Sequence, residues 1–152
     1  MQLNNEHHLE ASRAKVWEAL NDLETLKASI PGCEQMERID ERTLRAVVKS
    51  RVGPVSARFT GTVAFSDIEP MCGYTITFKG EGGMAGFASG NARVDLSDDG
   101  AGTLLRYESK AQVGGKLAQI GSRLIDSVAS KTASEFFQRF AAVVSQDQAK
   151  AD

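Results

Sequence analysis

The chain is poor in the residues on which most catalysis and most metal binding depend. It holds 2 histidines and 2 cysteines among 152 residues. Cys33 and Cys72 are too few and too isolated for a disulfide framework or a zinc cluster. Cys33 follows Pro31-Gly32 with nothing basic placed beside it, which reads as a structural thiol and not a nucleophile. His7 and His8 are adjacent, so on a strand their side chains point to opposite faces. That argues against a catalytic dyad and against a two-histidine metal site; no metal and no covalently bound cofactor is expected. Basic charge is not in excess either. A net charge of -2 and a pI near 5.7 argue against nucleic acid as a partner. Long apolar runs are missing: nothing approaches the ~20 residues that cross a bilayer. Met1–Glu6 lacks the basic region and apolar core of a secretory signal. The expected location is the cytoplasm, docking at the inner face of the cell membrane included.

What is present is a change of rhythm. A content of 41% hydrophobic and 25% charged residues is that of one ordinary globular domain. From about Cys33 to Val113 apolar residues alternate with polar ones; after Val113-Gly114-Gly115 they recur at three- and four-residue spacing to about Val144. The first pattern predicts strands with one buried face, the second a long amphipathic helix. Residues 2–10 read as a first strand. Ser12 and Asp22 are N-cap residues for two short helices, and Pro31-Gly32 ends the second. Strands follow at 34–40, 43–52, 55–65, 74–79, 87–97 and 103–113, with short turns that favour an antiparallel meander. One helix is predicted from Lys116, with a stripe at Leu117, Ile120, Leu124, Val128, Thr132, Phe136 and Phe140. The domain is assigned to residues 1–145, with a polar tail over 146–152.

Many positions predicted to face inward are small: Ala46, Ser50, Ala57, Gly61, Ala88, Gly90, Ala92, Ser109 and Ala111. Protein interiors pack near crystal density, so the space they leave is taken by the helix or by a ligand. Phe136, Phe137 and Phe140 are the side chains that would plug it. The start of the helix carries smaller residues, Ala118, Gly121 and Ser122, so a pocket is expected there. Met84 and Phe87 would be its covers, since methionine adapts to a variable apolar ligand. The stretch Gly80–Gly86 is glycine-rich but has no Gly-Lys-Ser/Thr ending and lies between strands, so it is not a phosphate loop.

Several segments match a known pattern. They are Ala14-Lys15-Val16-Trp17-Glu18-Ala19-Leu20-Asn21-Asp22, Ile30-Pro31-Gly32-Cys33-Glu34, Val52-Gly53-Pro54-Val55 with Phe59 and Gly61, and Gly115-Lys116-Leu117-Ala118-Gln119-Ile120-Gly121-Ser122-Arg123-Leu124-Ile125. With these the chain resembles the carbon monoxide dehydrogenase G-subunit family, over nearly the whole domain. The resemblance implies an α+β helix-grip, or START-like, fold: a curved antiparallel sheet of about seven strands wrapped around a long C-terminal helix, with two short helices after the first strand. It also implies a non-catalytic accessory protein of molybdenum-dependent hydroxylases of the aerobic carbon monoxide dehydrogenase type. The family is associated with recruiting that enzyme to the membrane and with binding a quinone-like apolar electron acceptor. Many members carry a C-terminal extension that contacts membrane. This chain stops soon after its helix, a departure that bears on membrane attachment and not on the cavity.

The expected partners are therefore an apolar small molecule, the hydroxylase subunits, and a membrane surface in peripheral contact. Ile30, Pro31, Met84, Phe87, Leu117, Ile120 and Leu124 are expected to line or gate the pocket. Phe59, Phe78 and Gly121 belong to its wall, and Ser50, Tyr107 and Ser109 would orient a carbonyl. Two other readings use the same fold: a protein-docking module with a vestigial pocket, and a cyclase- or hydrolase-like enzyme, which would need a polar pocket with a placed acid or base. Fold alone does not choose among them.

Overall fold

Strand β1 (Gln2–Leu9) leads into two short helices, α1 (Arg13–Leu20) and α2 (Leu23–Ser29). In this computed structural model both helices start where the sequence predicts. The Ser12 hydroxyl accepts from the Lys15 amide at 3.3 Å, and the Asp22 carboxylate accepts from the Thr25 amide at 3.0 Å. Each such cap stabilises a helix by about 1 kcal/mol. Six strands follow: β2 (Cys33–Asp40), β3 (Thr43–Val52), β4 (Val55–Glu69), β5 (Gly73–Glu81), β6 (Phe87–Asp99) and β7 (Gly102–Gly114). A single 3-10 turn, Gly83–Ala85, joins β5 to β6. Residues 1–151 are described, with side chains described over 1–145; the polar tail expected at 146–152 falls outside these side chains.

The strands form one seven-stranded antiparallel sheet in the order β1-β7-β6-β5-β4-β3-β2. The predicted inward residues do share one face, because pairing keeps them in rows. Ala111 pairs with Gly90, Gly90 with Phe78, Phe78 with Val63, and Val63 with Leu44. The opposite face is wet and carries ion pairs such as Arg45–Glu37, Arg58–Glu34 and Arg106–Glu6.

The C-terminal helix differs from the prediction in one respect. A short α3 (Lys116–Gln119) precedes α4 (Ser122–Ala151). Between them Gly121 adopts φ +102, a backbone conformation that breaks the helical ladder and that L residues avoid.

The core is lopsided. Leu9, Val16, Leu20, Tyr74, Val94, Leu96, Leu105, Phe140 and Val144 form one buried cluster, with Trp17, Phe136 and Phe137 packed against it. These residues join α1 and the C-terminal half of α4 to one end of the sheet. There the plug of phenylalanines exists: Phe137 lies nearly flat on His7 at 4.1 Å between ring centroids and on Tyr107 at 5.2 Å, with Phe136 edge-on to it at 5.0 Å. Burial holds the Tyr74 phenol protonated, pushed well above its ordinary value. Toward the other end, the inward residues of β4, from Val55 to Val63, are only half-buried.

Candidate ligand-binding site

The open end is built from three connections: the β3–β4 turn, the β5–β6 loop, and the β7–α3–α4 corner. A row of small side chains crosses the sheet beneath them. Val113 pairs with Ala88, Ala88 with Gly80, Gly80 with Gly61, and Gly61 with Ala46. A methyl group placed on Gly80 would meet no atom within 4 Å. One placed on Gly61 would meet only the backbone of the neighbouring strand, at 3.4 and 3.9 Å. Among the described residues, no atom of α4 descends to either glycine. The row forms a trough over Gly80 and Gly61; at its β3 end Ala46 is buried.

Beside Val113, at the β7 end of the row, lies a half-enclosed groove of about 190 Å³, lined by Ala111, Gln112 and Val113 of β7, Ala118 and Gly121 of the α3–α4 corner, Ser122, Ile125 and Asp126 of α4, and Met1. The lining is small and mostly apolar, as in small-molecule sites, though below the roughly 300–1,000 Å³ that holds a drug-sized ligand. It accommodates a ring and not a ring with a long tail. Among the described residues, Asp126 is the one titratable side chain in this lining.

The expected site residues fall into three groups. The first surrounds the open end. Leu117 is buried. A methyl on Gly53 would lie 2.7 Å from Leu124 Cδ2 and 3.7 Å from Ile120 Cγ2. The β3–β4 turn is therefore pressed against the start of α4, which it can be only because Gly53 has no side chain at φ +59. The Phe59 ring lies under Gly82, and the Phe78 ring packs over Gly90, so both floor the same end. Ser50 pairs with Ala57 on the inward face. Ile30 and Pro31 lie on the strap after α2, where Gly32 O accepts from the Lys49 amide at 2.9 Å, and so sit beside Ser50.

The second group sits on the rim. Met84 is 83% exposed, Phe87 44% and Leu124 39%. Phe87 pairs with Glu81, one position out of phase with inward Ala88, and its ring lies over Gly114. It borders the opening without facing the trough. The third group reaches toward the packed end. Ser109 pairs with Ala92 on the inward face. Tyr107 lies beneath Phe137. Burial raises its pKa, and a hydrogen bond with Asn5 partly offsets that.

Sequence reasoning misses three features. It ends β5 at Lys79 and leaves Gly80 in a loop; the Ile76, Phe78, Gly80 alternation is the signal that would keep Gly80 in the strand. The Met1, Ile125 and Asp126 contribution depends on how α4 crosses β7, which no local pattern encodes. His7 is the third. Its ring lies inward, parallel to that of Tyr107 to within 5°. Its Nε2 is shielded from solvent and has no hydrogen-bond partner among the described residues. Burial lowers its pKa, so the ring is held neutral. Its neighbour His8 faces out, as expected, bonded to Asp99 at 2.7 Å, which raises its pKa. Cys33 is half-buried, donates to Gln35 O at 3.3 Å, and has its pKa raised by burial, so the thiol is not activated. Among the described residues no group of His, Cys, Asp and Glu is placed to hold a metal ion.

Residues 6–145 match the family model for CoxG, the G-subunit of carbon monoxide dehydrogenase. The chain belongs to that family. A conserved protein from Geobacillus kaustophilus has a similar structure, with a TM-score of 0.90 at 30% identity over 96% of each chain. A START superfamily protein from Mycobacterium smegmatis superposes with a TM-score of 0.73 at 16% identity, covering 95% of this chain and 97% of that one. A protein from Rhizobium leguminosarum does so at 0.75 and 14%, covering 96% and 95%. A search of curated proteins finds no match. The helix-grip, START-like fold is thus shared across wide sequence distances. Membership of the CoxG family, in this fold, supports an accessory, ligand-binding protein. Among the described residues no helix is long and apolar enough to cross a membrane.

Proposed function

We propose that this chain is a non-catalytic accessory protein of a molybdenum-dependent hydroxylase of the aerobic carbon monoxide dehydrogenase type. In this reading it holds an apolar, quinone-like molecule between sheet and helix and aids recruitment or electron transfer at the membrane. The observation that carries the reading is the unfilled space over Gly80 and Gly61, in a fold whose other half is packed solid. Leu117, Ile120 and Gly121 form the helical wall, Phe59 and Phe78 the floor, and Ile30 and Pro31 the side beside Ser50. Ser50, Ser109 and Tyr107 orient a carbonyl, and Met84, Phe87 and Leu124 border the entrance. The ring lies in the trough, and its tail runs out over the rim. Apolar burial stabilises the complex by roughly 25 cal/mol per Å², less the cost of immobilising the ligand. A single carboxylate in the lining supports a carrier over an enzyme, since acid–base work on a ligand uses a positioned group matched to its task and commonly a partner of opposite role.

The test is calorimetric titration with short-chain benzoquinones and naphthoquinones. Saturable binding at one site is expected; no binding to either class would overturn the carrier reading. Heat is a better readout than tryptophan emission, because Trp17 packs against Tyr74 at the packed end. Copurification of a molybdenum hydroxylase with the tagged chain tests the partner half of the proposal.

A further inference from the structure

Among the described residues seven large apolar side chains are exposed, and apart from Met1 they lie at the two ends of the sheet. Met84, Phe87 and Leu124 border the open end. Ile39, Ile68 and Met71 lie at the far end, by the β2–β3 and β4–β5 turns. Strand β4 joins the two ends. Its 15 residues rise about 3.3 Å each, which sets the ends roughly 45–50 Å apart.

Contacts make the far end one surface. The Phe65 amide donates to Arg42 O at 2.8 Å, which lays the β2–β3 turn against β4. Arg13 Nη1 donates to Met71 O at 3.3 Å and its Nε to Asp98 at 2.8 Å, which ties the β4–β5 turn to the β6–β7 turn. A bulge interrupts the pairing of β4 with β5 between Ser66 and Glu69, and bulges re-aim side chains. Asp67 and Met71, at φ +50 and +64, are the two non-glycine residues at positive φ among the described residues. Backbone strain of this kind gathers at binding sites.

The two ends carry opposite charge. Around the open end, residues 49–57, 82–92 and 109–125 hold five basic side chains and no acidic one, a net of +5. At the far end, residues 39–42, 67–73 and 98–102 hold six acidic side chains against Arg42, a net of -5. Among the described residues, Arg51, Lys116 and Arg123 at one end and Asp40, Glu41, Asp67 and Glu69 at the other take part in no ion pair.

Exposed apolar side chains set among charges mark a protein interface. Here one chain carries both halves: three apolar side chains among unpaired cations, and three among unpaired carboxylates. We propose that the chain associates with itself head to tail, the acidic end of one copy seated on the basic rim of the next. Two unlike faces at opposite ends do not close into a twofold dimer, so association grows as an open chain of copies. The proposal goes beyond the carrier reading and does not depend on it, although a copy seated on the rim also covers the mouth of the trough.

The test is sedimentation velocity of the full chain over a range of concentration, at low and high salt. Growth beyond a dimer at low salt, reversed by high salt, is expected, since salt screens exposed charge. Lys116→Glu with Arg123→Glu makes both ends acidic, and Glu41→Lys with Glu69→Lys makes both basic. Each double variant alone should lose at least about tenfold in association constant, because reversal turns attraction at two exposed pairs into repulsion. Mixed in equal amounts, the two should associate again, since each then offers what the other lacks. That recovery also shows that both are folded, which circular dichroism checks independently. Met71→Ser and Met84→Ser should each weaken association without changing its salt dependence. A chain that stays monomeric at low salt, one that stops at a dimer, association indifferent to the reversals, or folded variants that fail to recover on mixing would overturn the proposal. A monomer whose rim binds anionic vesicles, or whose far end binds polylysine, would overturn it too and give those ends to other occupants.

Discussion

Replacing Gly80 by leucine puts an apolar side chain into the space that the carrier reading assigns to ligand. The backbone at Gly80 is strand, outside the positive-φ set, so leucine adopts it without strain. Its first carbon would find nothing within 4 Å. Three terms decide the stability change. Removing a strand glycine gains about 0.5–1 kcal/mol. Burying leucine fully would give about 1.5–3 kcal/mol, and roughly half of that applies to a half-buried position. Ordering the side chain costs about 0.5–1 kcal/mol. The sum is a stabilisation of about 1 kcal/mol, which in a domain of this size raises Tm by about 2–4 °C. Binding should move the other way, by tenfold or more, the equivalent of about 1.4 kcal/mol. Scanning calorimetry reads the first effect and titration calorimetry the second. A variant that melts several degrees lower would mean that the helix or a loop already occupies the space. One that gains stability and binds quinone as before would mean that the ligand site lies elsewhere.

Other perturbations probe the rest of the molecule. His7→Phe removes an unpartnered buried nitrogen, a group whose desolvation costs about 1–3 kcal/mol, and keeps a flat ring under Phe137; thermal unfolding should show a gain of about 1 kcal/mol. The two histidines should act oppositely on acidification. His7 refuses a proton that the unfolded chain accepts, so stability falls as pH drops through about 6.5, by at most about 1.4 kcal/mol per pH unit. His8, whose pKa is raised by Asp99, contributes stability below that pH and loses it as pH rises through its folded value. Tm measured between about pH 5 and 8 should therefore fall less below about 6.5 in His7→Phe, and His8→Ala should lose the rise that the parent protein gains as pH falls from about 8 toward 6.5; the reverse pattern would mean that the two rings exchange environments. Gly86→Ala forces a methyl into Gly114 O at φ +110, and should destabilise by about 2 kcal/mol or more. Gly83→Ala, also at positive φ but in open space, should cost only about 1 kcal/mol by the same thermal assay.

The sheet is legible in the sequence because a period of two is hard to mistake. Val55 to Phe65 alternates without interruption, and once its inward face is set, pairing carries Ala46, Phe78, Gly90 and Ala111 onto the same side. The order of sheet and terminal helix and the paired short helices follow from that pattern and from two capping residues; the START-like assignment comes from the family resemblance. What stays hidden depends on distance across the fold. Gly121 sits in a stripe that fits a helix, and only its φ shows that the chain turns there. Phe87 reads as a cover for the cavity, yet strand phase turns it away from Ala88. Plug and hollow look like alternatives along the chain, but both occur, since Phe136, Phe137 and Phe140 fill one end and leave the other. His7 and His8 are indistinguishable in sequence, because β1 is polar on both sides and gives no bias.

The lopsided core has a mechanical consequence. α4 has 30 residues, about 45 Å of rod. Phe140 and Val144 clamp it at 0% and 1% exposure; α2 also packs on it, and in its first turn Ile125 is buried while Leu124 beside Gly53 is 39% exposed. A beam clamped at one end bends most easily at the other. Tilting through about 3° over some 25 Å moves its free end by roughly 1.3 Å, enough to admit a bulkier guest while the clamp stays intact. On the carrier reading, guest size can then change by small adjustments near the start of α4, while the residues packed around Phe140 and Val144 keep the fold in place.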